Sequence, residues 1–366
     1  MNATKNWCKA KLSTFSRYIL CMNFITTIVL SLFLKISYNQ MTQLNKFHQN
    51  LTNVESAVNG QEKFSLPKVI WLMSFPNSGS SFTTKMVRTL TNSPTATTYG
   101  EEHVNALSGL SIPLASGVEY QNGPFLSYTH NLNVPQQYVL TKTHCGGRCS
   151  RCKPINYVES NESFKQACLT ARRGLPLNET YEKNQYEESL VQKAIHIIRN
   201  PLDNVVSRFH LVKKLSEKKN ETFNFTDDAD GFQKWCYEWD HTFNKEEEEH
   251  IDKLFLQDLP DIPCHADFYR YVQWHNLAFD IIEEMSIPLH ILYFEDFEED
   301  FNRTKDEILH FMEAQEVRSI ESKRRPIFIP GKTYEHFYTP KQKKAIRTFV
   351  LGHGSQQTQY VMKKYF

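Results

Sequence analysis

Residues 69–90 read VIWLMSFPNSGSSFTTKMVRTL. An unbroken apolar run from Val69 to Met73 meets Pro76, a Ser/Gly loop follows, and then a helix-like segment. The pattern predicts a buried strand, a tight loop and a helix. Small residues at Ser78, Gly79, Ser80 and Ser81 let backbone N–H groups converge on an anion at a helix N-terminus. A phosphate-bearing ligand, and hence an enzyme, is the expectation. The loop is not a Walker A sequence, because G-K-[ST] is missing and Lys85 lies well beyond Gly79.

From this stretch outward, strand and helix signals alternate. YVLTKT (138–143), AIHII (194–198) and LHILYF (289–294) read as further strands. Helices are expected over 202–215, 269–285 and 305–314. Such alternation predicts an α/β fold with a central parallel sheet flanked by helices and ligands at the strand C-terminal ends. Residues 145–188 fit no regular element and read as a cysteine-rich surface insertion; 213–230 reads as a second surface loop. The run Glu246 to Glu249 reads as a solvated helix face.

Two strand ends carry chemistry. In LTKTHC, alternation puts Lys142 and His144 on one face, a cation beside an imidazole that can take a proton near neutral pH. In IIRNPLDNVVSRFH, Arg199 closes a strand, Pro201 suits the first helical turn and Ser207 lies on the helix that follows. Arg199 suits a phosphate; the plainer reading makes it the ion-pair partner of Asp203.

Taken in order, these motifs resemble the sulfotransferase family, which moves a sulfuryl group from 3'-phosphoadenosine 5'-phosphosulfate (PAPS). SFPNSGSSF is similar to its 5'-phosphosulfate loop, LTKTHC to its Lys-Thr-His element, and IIRNPLDNVVSRFH to its 3'-phosphate element. LYFEDFEED (292–300) resembles its Tyr-Glu-Asp turn, and PGKTYEHFYTPKQ (330–342) its C-terminal Gly-rich element. The resemblance spans roughly 66–345 and implies a P-loop-like three-layer sulfotransferase fold. It implies that Asn77, Ser78, Gly79, Ser80 and Ser81 form the 5' cradle and that Phe82 packs on adenine. Arg199 and Ser207, joined by Lys332, would hold the 3'-phosphate. His144 would be the base, Lys142 would steady the transferring group, and no metal would be required.

The chain departs from that pattern at Asn77, where the family places Lys or Arg, so Lys142 is expected to supply the missing charge. Phe294 stands where a tyrosine is usual, and the gap from His144 to Arg199 is longer than in cytosolic members. Two other readings stay open: an inactive nucleotide- or glycan-binding relative, favoured by Asn77, and a P-loop phosphotransferase.

The N-terminus adds topology. The chain has 366 residues and a formal net charge of +1, which offers no footprint for nucleic acid. Residues 18–38 carry a mostly apolar stretch, YILCMNFITTIVLSLFL, preceded by Lys5, Lys9, Lys11 and Arg17. A cleaved signal peptide would need a small-residue site that KISYNQM does not offer. A single-pass type II signal anchor is therefore expected, with a cytosolic tail (1–17), a polar stem (39–65) and a luminal domain (66–366) in the Golgi or secretory pathway. Sequons at Asn50, Asn161, Asn178, Asn220, Asn224 and Asn302 agree with that side. The expected acceptor is a glycan or glycoprotein. Luminal Cys145, Cys149, Cys152, Cys168, Cys236 and Cys264 suit disulfides, with zinc at the C-x3-C-x2-C cluster as the alternative.

Overall fold

A computed structural model describes residues 68–93, 95–98, 138–147, 154–156, 159–173, 182–317, 327–328 and 333–366. The anchor expected over 18–38, the stem, Lys332, Cys149 and Cys152 lie outside the described residues. Among the described residues no helix is long and apolar enough to cross a membrane.

The strands are β1 (Lys68–Ser74), β2 (Ala96–Thr97), β3 (Tyr138–Thr143), β4 (Thr170–Arg173), β5 (Glu182–Gln185), β6 (Val191–Ile198) and β7 (Leu289–Tyr293). Five of them form one parallel sheet in the order β2-β3-β1-β6-β7, while β4 and β5 pair as an antiparallel hairpin. The helices are α1 (Ser80–Thr91), α2 (Asn161–Leu169), α3 (Pro201–Lys218), α4 (Ala229–His250), α5 (Lys253–Asp258), α6 (His265–Glu284), α7 (Asp296–Glu299), α8 (Phe301–Phe311), α9 (Pro340–His353) and α10 (Gln356–Met362).

β1 is buried on both faces, which is why it reads as a continuous apolar run. Val69, Trp71 and Met73 join the larger core with residues of α3, α4, α6 and α9. Ile70 and Leu72 join a second core with Met86, Val87 and Leu90 of α1 and Ile308 of α8. Each fully buried aliphatic side chain contributes about 1.5–3 kcal/mol. Strands on either side of β1 are reached by connections in opposite directions, so a crevice opens at their C-terminal ends. Ser74 ends β1 there, and His144, Arg199 and Phe294 directly follow β3, β6 and β7.

Four expectations need correction. The surface loop expected over 213–230 is confined to 219–228, because α3 runs on to Lys218 and α4 starts at Ala229. The 145–188 segment is not irregular throughout. It holds α2, started by a capping box between Ser160 and Ser163, and the β4–β5 hairpin. Cys145 is bonded to Cys168 and Cys236 to Cys264, so Cys145 is no zinc ligand. Each bridge closes a loop long enough to stabilise by roughly 3–4 kcal/mol. Finally, Glu247 is buried rather than solvated: its Oε2 lies 2.6 Å from His265 Nε2.

Two histidine clusters give the domain a defined pH response. Burial opposes charge on His265, yet its hydrogen bonds to Asp240 and Glu247 prevail and push its pKa from 6.5 to about 10. His196 on β6 and His275 on α6 share a 2.8 Å hydrogen bond; burial pushes His196 from 6.5 to about 3 and His275 well below 6.5. Below 6.5 the unfolded chain takes up protons that the neutral pair refuses, so stability falls as pH drops. Above 6.5 the unfolded His265 loses a proton that the folded one keeps, so stability falls as pH rises toward 10. Each limb is expected to slope by up to about 1.4 kcal/mol per pH unit per histidine. Urea melts at a series of pH values check this: His265→Gln should flatten the alkaline limb alone, and an alkaline limb unchanged by it would contradict the assignment.

Candidate functional site

The loop between β1 and α1 is held in an unusual backbone. Asn77 has φ 67° and Gly79 φ 94°, both left-handed. Asparagine tolerates that region better than most side chains, which gives Asn77 a conformational reason to stand there. Gly79 has two reasons: its φ, and the Phe294 ring, whose Cδ2 would lie 2.2 Å from an added Cβ. α1 opens with no side-chain cap and no acidic residue in its first turn, so no carboxylate of that turn would compete with an anion for its first N–H groups.

Residues from three other elements hold this loop. Asn204 on α3 donates from Nδ2 to Pro76 O and to Ser78 Oγ, 3.0 Å each. Arg199 Nη1 donates to Asn77 O at 2.5 Å and to Ser207 Oγ at 3.0 Å. Its guanidinium also lies 4.8 Å from the centroid of the Phe294 ring. From β3, Lys142 Nζ donates to Ser81 Oγ at 3.0 Å. Lys142 on β3 and Arg199 just past β6, the strands either side of β1, thus meet opposite ends of one loop, and both are buried.

Arg199 is not tied to Asp203 by a direct hydrogen bond. The Asp203 carboxylate takes the Tyr334 N–H at 2.7 Å. Burial works against the Arg199 charge and lowers its pKa, with Asp203 and Glu295 opposing that shift through space. The Arg199 Nε–H is buried without a hydrogen-bond partner. That leaves a cation with donor capacity to spare at the mouth of the loop.

His144 sits just past β3. Its Nδ1 lies 2.6 Å from Ser74 O and 3.1 Å from Ser74 Oγ. A carbonyl only accepts, so the neutral ring carries its proton on Nδ1 and its lone pair on Nε2. The next residue, Cys145, is pinned to α2 by its disulfide.

One helix registers both halves of the site. Trp274 Nε1 donates to His144 O at 2.8 Å, and Tyr271, one turn earlier on α6, donates to Arg199 O at 2.5 Å. Trp274→Phe removes the first tie while keeping most of the ring. It is expected to cost about 1–2 kcal/mol of stability. With His144 as the base that the motif resemblance implies, turnover should fall by roughly tenfold through its misplacement, with affinity for adenosine 3',5'-bisphosphate unchanged. Chemical denaturation, steady-state rates and calorimetry separate these effects, and a loss of bisphosphate affinity matching the loss of rate would contradict it.

Phe82 packs edge-on against Phe297 and Phe328, with ring centroids 5.1 Å away in each case. Lys85 is exposed on α1. Lys332 lies outside the described residues. The sequence reading missed Ser74, Asn204, Tyr271 and Trp274. Asn204 had a signal, since it lies three residues before Ser207 and so shares a helix face with it. Trp274 had none, because its partner is distant in sequence.

The chain matches no protein-family model, and no curated protein matches it. Solved structures do. A mouse sulfotransferase, SULT7A1, complexed with PAP, is 15% identical, aligned over 82% of this chain and 90% of its own, with a TM-score of 0.36. A sulfotransferase from Alicyclobacillus acidocaldarius is 14% identical over 82% of this chain and 96% of its own, with a TM-score of 0.38. At these TM-scores neither likeness bears on the function, which has to be read from the chain's own residues.

Proposed function

We propose that this chain is a sulfotransferase that moves a sulfuryl group from PAPS to a hydroxyl of a glycan or glycoprotein, acting on the luminal side of a Golgi or secretory-pathway membrane. The observation that carries the reading is the meeting of Lys142 and Arg199 at the two ends of the Asn77–Ser81 loop, with His144 anchored beside it on Ser74. The residues fit a nucleotide with phosphates at both ends: Arg199 has an unpartnered buried N–H, Gly79 holds the loop in a left-handed turn against the Phe294 ring, and the α1 N-terminus carries no acid.

When bound, PAPS supplies the sulfuryl group. The first-turn N–H groups of α1, with Ser80 and Ser81, would hold the 5' end, and Arg199 and Ser207 the 3'-phosphate. Phe82 is assigned to adenine and Lys332 to the 3'-phosphate by the motif pattern alone. His144 Nε2 takes the acceptor hydroxyl proton while Ser74 holds Nδ1–H and keeps the ring in that tautomer. Lys142 steadies negative charge that builds between sulfur and the departing oxygen. Positioning and charge do the work, as in phosphoryl transfer.

The neutral side chain of Asn77 favours a second reading, a relative that binds the nucleotide without turnover. Purified full-length chain incubated with PAPS, a panel of hydroxyl acceptors and EDTA tests both. Bisphosphate release that requires acceptor and survives EDTA is expected. Binding without release would support the inactive relative, and magnesium-dependent ATP turnover would support a phosphotransferase.

A further inference from the structure

Away from the strand ends, a cleft of about 420 Å³ opens between the end of α3, the 219–228 loop and α4. Its size falls within the roughly 300–1,000 Å³ of small-molecule sites. Phe223, Phe225 and Trp239 line it and remain partly uncovered, with Trp235 buried behind them. Glu221 and Glu238 stand exposed on its wall, and Ser216 and Thr222 add hydroxyls. Aromatic faces suit the C–H faces of a sugar ring, and carboxylates accept from its hydroxyls.

The wall is built rather than frayed. Asp227 pairs with both His210 and Lys213 at 2.8 Å, and Asp228 caps α4 through the Gly231 N–H. An added Cβ at Gly231 would lie 2.0 Å from Thr226 O, so the end of the loop packs directly on the start of α4. Asn224, in the sequon Asn224-Phe225-Thr226, is exposed and itself lines the cleft. Asn220, four residues earlier, is also exposed in a sequon but does not line it.

We infer that Asn224 carries an N-linked glycan whose first sugars fold back into this cleft and cover its aromatic wall. This rests on the luminal placement proposed above and not on the sulfuryl-transfer reading. In the modification the Asn224 amide nitrogen bonds C1 of the reducing-end sugar of a lipid-linked pyrophosphate oligosaccharide. The C1–O bond to the pyrophosphate breaks, the pyrophosphate leaves with that electron pair, and the amide gives up one proton.

The test uses the full chain expressed in a eukaryotic secretory host. Enzymatic release of glycans in heavy-oxygen water, followed by peptide mass mapping, should mark Asn224 as occupied. Amide hydrogen exchange across residues 221–239 should then speed up by about tenfold when the whole glycan is removed, and by much less when it is trimmed to its first sugar. Trp239→Ala should keep occupancy and abolish that difference; Asn220→Gln should leave it intact. Asn224 bare while other sequons are occupied would overturn the inference on its own. No sequon occupied would overturn the luminal placement with it. Occupancy with exchange indifferent to glycan removal would also overturn it, as would tight binding of a free oligosaccharide to the cleft while Asn224 stays glycosylated.

Discussion

Replacing Lys142 with alanine is expected to slow sulfuryl transfer by about 10²–10³-fold while the affinity for adenosine 3',5'-bisphosphate stays within about threefold. Lys142 is 2% exposed, and its Nζ lies 3.0 Å from Ser81 Oγ at the opening of α1. Charge that builds on the departing oxygen during transfer would develop within its reach. Under the proposed function the bisphosphate would keep the loop N–H groups, Arg199 and Ser207 as ligands, so ground-state binding should survive. Lys85 is exposed on α1, and none of the hydrogen bonds that hold the loop comes from it. Asn77 is neutral and its carbonyl is occupied by Arg199. Steady-state rates with PAPS and bisphosphate titrations of the variant separate the two effects; turnover unchanged in Lys142→Ala would remove Lys142 from the chemistry.

The second large effect is expected at Gly79. Gly79→Ala combines a left-handed φ of 94° with a Cβ placed 2.2 Å from the Phe294 ring. Backbone strain of this kind costs on the order of 1–3 kcal/mol, and displacing Phe294 also disturbs the ring beneath Arg199. The loop should rearrange, with bisphosphate affinity falling by at least about tenfold and the thermal midpoint dropping by several degrees. The double variant Gly79→Ala with Phe294→Ala removes the collision and leaves the φ penalty, so it should recover part of the stability. Calorimetry and thermal melts of the pair check this, and an alanine at 79 that binds as well as glycine would contradict the account of the loop.

What the sequence revealed and what it hid follow from how local each signal is. β1, its loop and α1 were legible because a doubly buried strand is an apolar run and the loop is spelled by Pro76 and Gly79. β2 spans only Ala96–Thr97, too short for any period. The β4–β5 hairpin pairs TARR with EKNQ, and neither strand has the apolar alternation that marks a half-buried strand. Glu247 looked solvated because the partner that buries it, His265, lies on another helix. In the candidate site, the placement of Lys142, His144 and Arg199 at the C-terminal ends of strands was legible from residue type and pattern. Their supports were less so: Ser74 under His144 and Tyr271 with Trp274 act through a backbone carbonyl far along the chain, and only the spacing of Asn204 from Ser207 marked that residue. A main-chain acceptor leaves no mark on the sequence that encodes it.

The central claim is that these strand ends form a site for a nucleotide phosphorylated at both the 3' and 5' positions. Isothermal titration of the full chain with adenosine 3',5'-bisphosphate and with adenosine 5'-monophosphate, repeated on Arg199→Ala, tests it most directly. The bisphosphate should bind at least about tenfold more tightly than the monophosphate, and Arg199→Ala should erase that preference. Equal affinity for the two nucleotides, or no binding of either, would contradict it.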